Sequence, residues 1–211
     1  MSAGHDPRAN QKQRTRAAIV EAASGLLAQG GAPTVAEAAA AAKVSRATAY
    51  RYFPTPEALM VEVAGITPAF AELELLVAGL DDGDSEARLA LFVRRINELT
   101  FAEEPRMRMA LRVYLDTWFA NQGMDDGSTP IREGRRMRLL ERVLDQLRAK
   151  LDRGQWRRLQ AALALTVGTE PMVIMKDVCR LGDREAQQVL LWAALALLRA
   201  GADEVRASAA G

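Results

Sequence analysis

Two helix-start signals close together near the N-terminus constrain the fold more than any other feature of the chain. Thr34 is followed three residues later by Glu37, which is the spacing of a capping box. Ser45 is the next residue that favours a helix N-cap, and only Lys43-Val44 separates it from the Ala-rich run after Thr34. The pattern therefore predicts two short helices joined by a tight connection, which is the helix-turn-helix arrangement.

The rest of the sequence also has helical periodicity. Apolar residues recur three and four positions apart, and the composition is rich in helix formers, with only 5% aromatic residues. We therefore expect an all-α protein. The predicted helices span about residues 11–29, 34–42, 45–53, 57–78, 85–101, 105–119, 131–151, 155–178 and 183–202.

Charge is unevenly distributed along the chain. The formal net charge is only +1, but residues 1–60 sum to +3 and the remaining residues to −2. Residues 1–60, here called the head, are basic, and the rest of the chain is mildly acidic. This distribution indicates a polyanionic partner for the head alone.

The sequence lacks the residues that several classes of function require. The single cysteine, Cys179, and the single histidine, His5, predict no disulfide, no metal site and no cofactor. The sequence has no Gly-rich phosphate loop and no Ser/His or Cys/His pair, so we expect no catalytic residues and no enzyme. The leader is polar, and the longest apolar run, Val189–Leu198, is far shorter than the ~20 residues that span a bilayer. These features predict a cytoplasmic protein with no membrane partner.

The stretch TVAEAAAAAKVSRATAYRYF, residues 34–53, closely resembles the helix-turn-helix of the tetracycline-repressor (TetR) family, and Glu57-Ala58-Leu59 follows it as in that family. The resemblance implies a three-helix DNA-binding domain at residues 1–56 and a helical effector-binding and dimerisation domain at residues 57–211. It implies a transcriptional regulator, specifically a repressor that a small molecule releases from a palindromic operator. One departure is Pro56, where family members usually carry a lysine.

The second short helix carries the side chains of a DNA-reading helix. Arginine can bridge the two acceptors of guanine, threonine can contact a thymine methyl group or a phosphate, and tyrosine hydroxyls donate to phosphates. The resemblance assigns the base-facing positions to Arg46, Ala47, Thr48, Arg51 and Tyr52, and phosphate contacts to Thr34 and Tyr50, with Ser45 at the helix start. The plainer interpretation is a solvated helix in which Tyr50 and Phe53 only pack. Lys12, Arg14 and Arg16 could form a basic arm or an ordinary polar leader.

Aromatic and methionine residues cluster in the middle of the chain, which suits an apolar or amphipathic effector bound between the helices around 101–119 and 155–178. Plain core packing is the alternative for each of them. Glu170 is a further candidate for effector binding, because a charged side chain that faces a cavity needs a partner that a ligand could supply. The candidate effector residues are Met107, Tyr114, Trp118, Phe119, Glu170 and Met175.

The segment Val189–Leu198 is apolar on all sides, so it needs burial on more than one face. We expect a homodimer in which the last two helices of each subunit form the interface, with contacts from Val189, Trp192 and Leu195. Paired heads would then read a palindromic site in double-stranded DNA. A helical small-molecule carrier or interaction module without DNA binding is the competing hypothesis, and the sequence does not distinguish repression from activation.

Overall fold

The computed structural model of the protein describes residues 7–65, 68–81, 83–120 and 134–209. Regular structure in these ranges is entirely helical, so the predicted all-α class is confirmed. The helices are α1 Pro7–Ala28, α2 Val35–Ala41, α3 Arg46–Tyr52, α4 Pro56–Gly65, α5 Pro68–Ala78, α6 Ser85–Ala102, α7 Glu104–Ala120, α8 Arg135–Val143, α9 Asp145–Arg148, α10 Arg153–Ala164, α11 Thr169–Val173 and α12 Asp183–Ala209. A π-helical turn, Ile174–Val178, lies between α11 and α12.

The chain forms two compact units that are interleaved in sequence. The first comprises Met1–Ile66 and Pro105–Gln122, and the second comprises Thr67–Glu104 and Gly123–Gly211. This division differs from the predicted boundary between residues 56 and 57. The physical reason is that α4 packs on α1, and α7 contributes Met109 and Val113 to the same core.

Small buried residues hold the helices of the first unit together. Alanines from α2 and α3 are fully buried between larger apolar side chains, so the backbones of α1, α2 and α3 can approach closely. The core residues are Ile19, Val20, Ala23, Leu27, Val35, Ala38, Ala39, Ala49, Phe53, Leu59, Met60 and Val63. α1 ends at Ala28, and Gly30 follows in the left-handed region with a φ of 94°, as is common after a helix C-terminus.

The turn between α2 and α3 requires a left-handed residue. Lys43 has a φ of 56°, and the next residue, Val44, donates its backbone N–H to the carbonyl of Ala39 at 2.9 Å. That bond satisfies a carbonyl at the end of α2 in the manner of a Schellman motif. Glycine usually occupies the left-handed position because a Cβ there is sterically unfavourable.

Lys43→Gly is therefore expected to raise the free energy of unfolding by on the order of 0.5–1 kcal/mol, because relief of the left-handed strain exceeds the extra entropy of glycine in the unfolded chain. Urea denaturation followed by circular dichroism measures the change. Lys43→Ala is the matched control, since it removes the same side chain and keeps the Cβ. If alanine stabilises the protein as much as glycine does, the backbone explanation is wrong.

The second unit has one apolar core to which α5, α6, α8, α9, α10 and α12 contribute. Leu89, Phe92 and Leu163 are fully buried in it. Along α12, the buried positions Ala186, Leu190, Ala194 and Leu198 recur every four residues and define its buried face, and Ala194 and Leu198 belong to this core.

The helix predicted over residues 131–151 is divided in two. Its expected first residues, 131–133, lie outside the described part of the chain, and the rest forms α8 and α9 with a break at Leu144. The buried Arg88 of α6 donates from Nη2 to the backbone carbonyl of Arg142 at 2.8 Å, and the same nitrogen lies 3.2 Å from a carboxylate oxygen of Asp145. A long-range contact thus satisfies a carbonyl at the end of α8, which sequence periodicity cannot reveal.

The helices predicted over residues 155–178 and 57–78 are also interrupted. α10 ends at Ala164, and Gly168, with a φ of 95°, precedes α11. The carbonyls of Thr166 and Val167 in this break accept hydrogen bonds from Asn97 Nδ2 at 3.1 Å and Arg136 Nη1 at 3.0 Å. Within the range 57–78, α4 and α5 are separate helices on either side of residues 66–67, which lie outside the described residues.

Candidate nucleic-acid interface

Reciprocal capping at Thr34 fixes the start of α2. The Thr34 hydroxyl accepts a hydrogen bond from the backbone N–H of Glu37 at 3.2 Å, and the Glu37 carboxylate accepts one from the backbone N–H of Thr34 at 2.7 Å. The predicted capping box is therefore confirmed. Thr34 itself is exposed, and its predicted phosphate contact stays a prediction.

A helix cap fixes the start of α3, and two buried residues set its orientation. Ser45 caps the helix by accepting a hydrogen bond from the backbone N–H of Thr48 at 3.2 Å, as its position in the sequence predicts. Ala49 is fully buried and Phe53, just after the helix, is 1% exposed. Because these two positions lie four residues apart on one face, the opposite face of the short helix is directed to solvent.

The solvent side of α3 carries the predicted DNA-reading residues. Arg46, Ala47, Tyr50 and Arg51 are exposed, while Thr48 and Tyr52 are half-buried. Neither Arg46 nor Arg51 forms an ion pair with another residue in the described ranges, and the guanidinium of Arg51 lies 5.6 Å from the ring centroid of Tyr52. The two guanidinium groups are therefore available for an external acceptor.

One residue of the proposed basic arm has a partner within the protein. Arg16 of α1 donates from Nη2 to Glu62 Oε1 at 2.7 Å, and its guanidinium carbon lies 5.7 Å from the ring centroid of Phe53. It therefore ties α1 to α4 and covers the residue that anchors α3. Lys12 and Arg14 are exposed on the same helix. The sequence gives no signal for the Arg16–Glu62 pair, because the partners are 46 residues apart.

Comparison with known proteins identifies this arrangement. Residues 19–63 match the family model described as "Bacterial regulatory proteins, tetR family", and these are the residues of the helix-turn-helix and its supporting helices. Residues 19–63 therefore carry a DNA-binding domain of the TetR type. A TetR-family transcriptional regulator from Streptomyces coelicolor has the same fold, with a TM-score of 0.65 and 19% sequence identity over 92% of this chain and 86% of that one. No curated protein sequence gives a significant match.

Together with the geometry of α2 and α3, this match indicates a DNA-binding transcriptional regulator with a helix-turn-helix. Within the described ranges, no helix is long and apolar enough to cross a membrane. No group of three or more potential metal ligands occurs in the same ranges.

The capping box at Thr34 and Glu37 makes the stability of the protein depend on pH. The hydrogen bonds from the backbone and side chain of Thr34 lower the pKa of Glu37 below its usual value. A carboxylate with a lowered pKa in the folded state contributes stability that is complete above its unfolded pKa of about 4.3 and is lost as the pH falls through the folded pKa.

We therefore expect wild type to be more stable than Glu37→Gln by a constant amount above about pH 5, and expect that difference to shrink below about pH 4. Urea denaturation of both proteins at a series of pH values measures it. Glu21→Gln is a suitable control, because Glu21 is an exposed glutamate of α1 for which no capping bond is seen. A difference that stayed constant down to pH 3 would contradict the assignment.

The predicted effector residues fall in both compact units. In the first unit, Met107 and Tyr114 are half-buried, while Trp118 and Phe119 are exposed and contact each other edge to face with ring centroids 5.0 Å apart. In the second unit, Met175 is half-buried in the π-helical turn, and Glu170 receives hydrogen bonds from Arg136 at 3.1 and 3.3 Å. Glu170 therefore has a cationic partner within the protein, which the sequence did not suggest. The assignment of these residues to an effector stays a prediction.

Of the three predicted dimer residues, Val189 and Trp192 are exposed on α12, and Leu195 packs against the core. Trp192 is 71% exposed and Val189 is 37% exposed, whereas Leu195 is half-buried at the margin of the packed face. An exposed tryptophan opposite the buried stripe of α12 is an unusual surface residue for a monomer.

Proposed function

We propose that the protein is a cytoplasmic repressor that binds a palindromic operator as a homodimer and is released by a small apolar or amphipathic effector. The observation that carries the proposal is the outer face of α3, where Arg46 and Arg51 are exposed without an ion-pair partner in the described ranges. Ala49 and Phe53 hold the opposite face in the core, so the reading side chains extend from a fixed support.

Recognition follows from the chemistry of these side chains. A guanidinium group can donate two parallel hydrogen bonds to O6 and N7 of guanine in the major groove, and this pairing discriminates between bases by about 1–3 kcal/mol. Tyr50 and Thr34 are exposed and carry hydroxyl groups that can donate to phosphates, which fixes register without reading sequence. The net charge of +3 in residues 1–60 supports attraction of the head to the polyanion.

The exposed apolar side of α12 supports dimer formation. Val189 and Trp192 are presented by α12, and exposed apolar residues also occur in the elements packed against it: Leu165 just after α10, and Ile174 and Val178 in the π-helical turn. A two-fold interface would bury these side chains and pair two heads. Two recognition helices engage neighbouring major grooves when they are ~34–36 Å apart, so the target would be palindromic.

Effector control would then act through the separation of the two heads. A ligand that favours a different separation lowers DNA affinity by its differential affinity for the two states, typically about 5- to 150-fold. Linkage requires that operator DNA weaken effector binding by the same factor.

Selection of duplexes from a random-sequence pool by the purified protein tests the DNA-binding part. We expect the enriched duplexes to be palindromic and their binding, followed by fluorescence anisotropy, to weaken steeply as salt rises. A reporter whose promoter overlaps an enriched duplex should lose expression when the protein is present. Failure to bind any duplex in a salt-dependent way would favour the carrier or interaction module, and increased reporter expression would show an activator.

A further inference from the structure

The left-handed residue of the turn between α2 and α3 is an exposed lysine. Lys43 has a φ of 56°, while its neighbours Ala42 and Val44 pack against the core of the first unit. A left-handed conformation is strained for a residue with a Cβ, whereas glycine adopts it freely. The side chain of Lys43 therefore adds strain to the turn and contributes no packing to the core.

Hydrogen bonds fix the backbone on both sides of this side chain. The N–H of Lys43 donates to the carbonyl of Ala40 at 3.1 Å, and the N–H of Val44 donates to the carbonyl of Ala39 at 2.9 Å. Ser45, two residues after the lysine, caps α3. Lys43 thus extends into solvent from a fixed point beside the start of the reading helix.

The ammonium group of Lys43 has no ion-pair or hydrogen-bond partner in the part of the chain that the structure describes. From residue 43 to residue 53, the sequence has three cationic side chains, those of Lys43, Arg46 and Arg51, and no acidic one. All three cations are exposed. The turn and α3 therefore form a continuous positive segment that no acid within it neutralises.

Attraction to the C-terminus of α2 is the structural explanation for a lysine at this position. A cation near the last carbonyl groups of a helix is stabilised by the helix dipole, but the effect at an exposed site is small and is screened by salt. Such an attraction offsets the left-handed strain at best. Folding alone thus does not account for the lysine.

The turn of a helix-turn-helix lies close to the DNA backbone. The second helix enters the major groove with its N-terminal residues on the base edges, while the first helix crosses the phosphate backbone. The turn that joins the two helices is therefore at the edge of the groove. An ammonium group on a flexible four-carbon stem suits a phosphate there, because it acts as a point charge and needs no fixed alignment.

We propose that Lys43 is a phosphate-binding residue: its ammonium group contacts the DNA backbone at the edge of the major groove, and the turn keeps a strained residue because of this contact. The proposal rests on the DNA-binding function proposed above and deepens it. Strained backbone conformations are concentrated at functional sites, where the surrounding structure holds them in place. Lys43 adds affinity without reading sequence, since phosphate contacts carry no sequence information.

Lys43→Gln tests the contact, because it removes the charge and keeps the Cβ and most of the stem. Each phosphate contact adds about 0.9 to the slope of log affinity against log salt, so the slope should fall by about one for each bound subunit. Affinity for an enriched palindromic duplex should fall by roughly 8-fold per bound subunit at about 0.1 M salt and approach that of wild type near ~1 M salt. Discrimination against a shuffled duplex should be unchanged. Lys43→Arg, which keeps a positive charge, should retain the wild-type slope.

Lys43→Gly tests whether the strain is kept because of DNA binding. Glycine relieves the left-handed strain and removes the ammonium group, so this variant should resist urea better than wild type and bind the duplex as weakly as Lys43→Gln. A lysine with only a structural role would not separate stability from affinity in this way. Lys150→Gln is the matched control, because Lys150 is an exposed lysine of the second unit. Its affinity and salt slope should be those of wild type.

The outcomes separate this proposal from the DNA-binding function itself. If wild type binds no duplex, the proposed DNA-binding function is wrong. If wild type binds but Lys43→Gln keeps the wild-type affinity and salt slope, the phosphate contact is overturned, and lower stability of that variant would then assign the lysine to the C-terminus of α2. Loss of discrimination in Lys43→Gln also overturns the proposal, because Lys43 would then read bases. An equal loss of affinity in Lys150→Gln overturns it as well, because net charge alone would explain the effect.

Discussion

Arg46→Ala and Arg51→Ala are each expected to weaken binding to the enriched duplex by about 1–3 kcal/mol, which is on the order of 5- to 150-fold. Both guanidinium groups are exposed on α3 without an ion-pair partner in the described ranges, so their loss removes contacts to DNA and leaves no buried charge unpaired. Discrimination between the enriched duplex and a shuffled one should fall in parallel, because base contacts carry the sequence information. Anisotropy titrations with both duplexes measure the two effects.

The control is Arg138→Ala, which removes an exposed arginine from α8 in the other compact unit. It should leave both affinities unchanged. Binding of an identified effector to free Arg46→Ala and Arg51→Ala should remain that of wild type, since both arginines are exposed on α3 and neither is a predicted effector residue. Unchanged discrimination in both variants would show that α3 is not the recognition helix.

Trp192→Glu is expected to produce a monomer and to reduce affinity for a palindromic duplex by at least about 100-fold, because the affinity gained by linking two heads is typically 10²- to 10⁴-fold. Trp192 is 71% exposed on the face of α12 opposite the core, so the substitution should not disturb the fold of one subunit. It places a charge where the proposed interface buries an indole ring. Sedimentation at micromolar concentration measures the oligomeric state, and anisotropy measures the affinity.

Leu75→Glu is the matched control for this experiment. Leu75 is 75% exposed on α5, so it introduces the same charge at an equally exposed apolar position outside α12. It should remain a dimer with wild-type affinity. A wild-type protein that sediments as a monomer would refute the dimer, and dissociation by Leu75→Glu alone would place the interface elsewhere.

Local interactions account for what was predictable from the sequence. The capping box at Thr34 and Glu37 and the cap at Ser45 join residues only three positions apart, so the residue types alone indicate them. The burial of Ala49 and Phe53 follows from their helical spacing once the start of α3 is known. For the same reason, the exposed face of α3 can be inferred from the amino-acid sequence alone.

Contacts between distant residues account for what was missed. The break between α8 and α9 coincides with the hydrogen bond from Arg88, which is 54 residues away from its acceptor. The assignment of α7 to the first unit depends on packing by Met109 and Val113. Periodicity shows that a helix has an apolar face but does not show which core that face joins, so neither feature could be derived from the sequence.

The alanine-rich core of the DNA-binding unit also limits how its target sequence can evolve. Ala38, Ala39 and Ala49 are completely buried where helices meet, so a larger side chain at any of them would overpack the core at a cost of about 1–3 kcal/mol. Positions 46, 47 and 51 face solvent and carry no such penalty. Descendants of this protein can therefore acquire new operator preferences by substitution on the outer face of α3, while selection for folding keeps the three alanines unchanged.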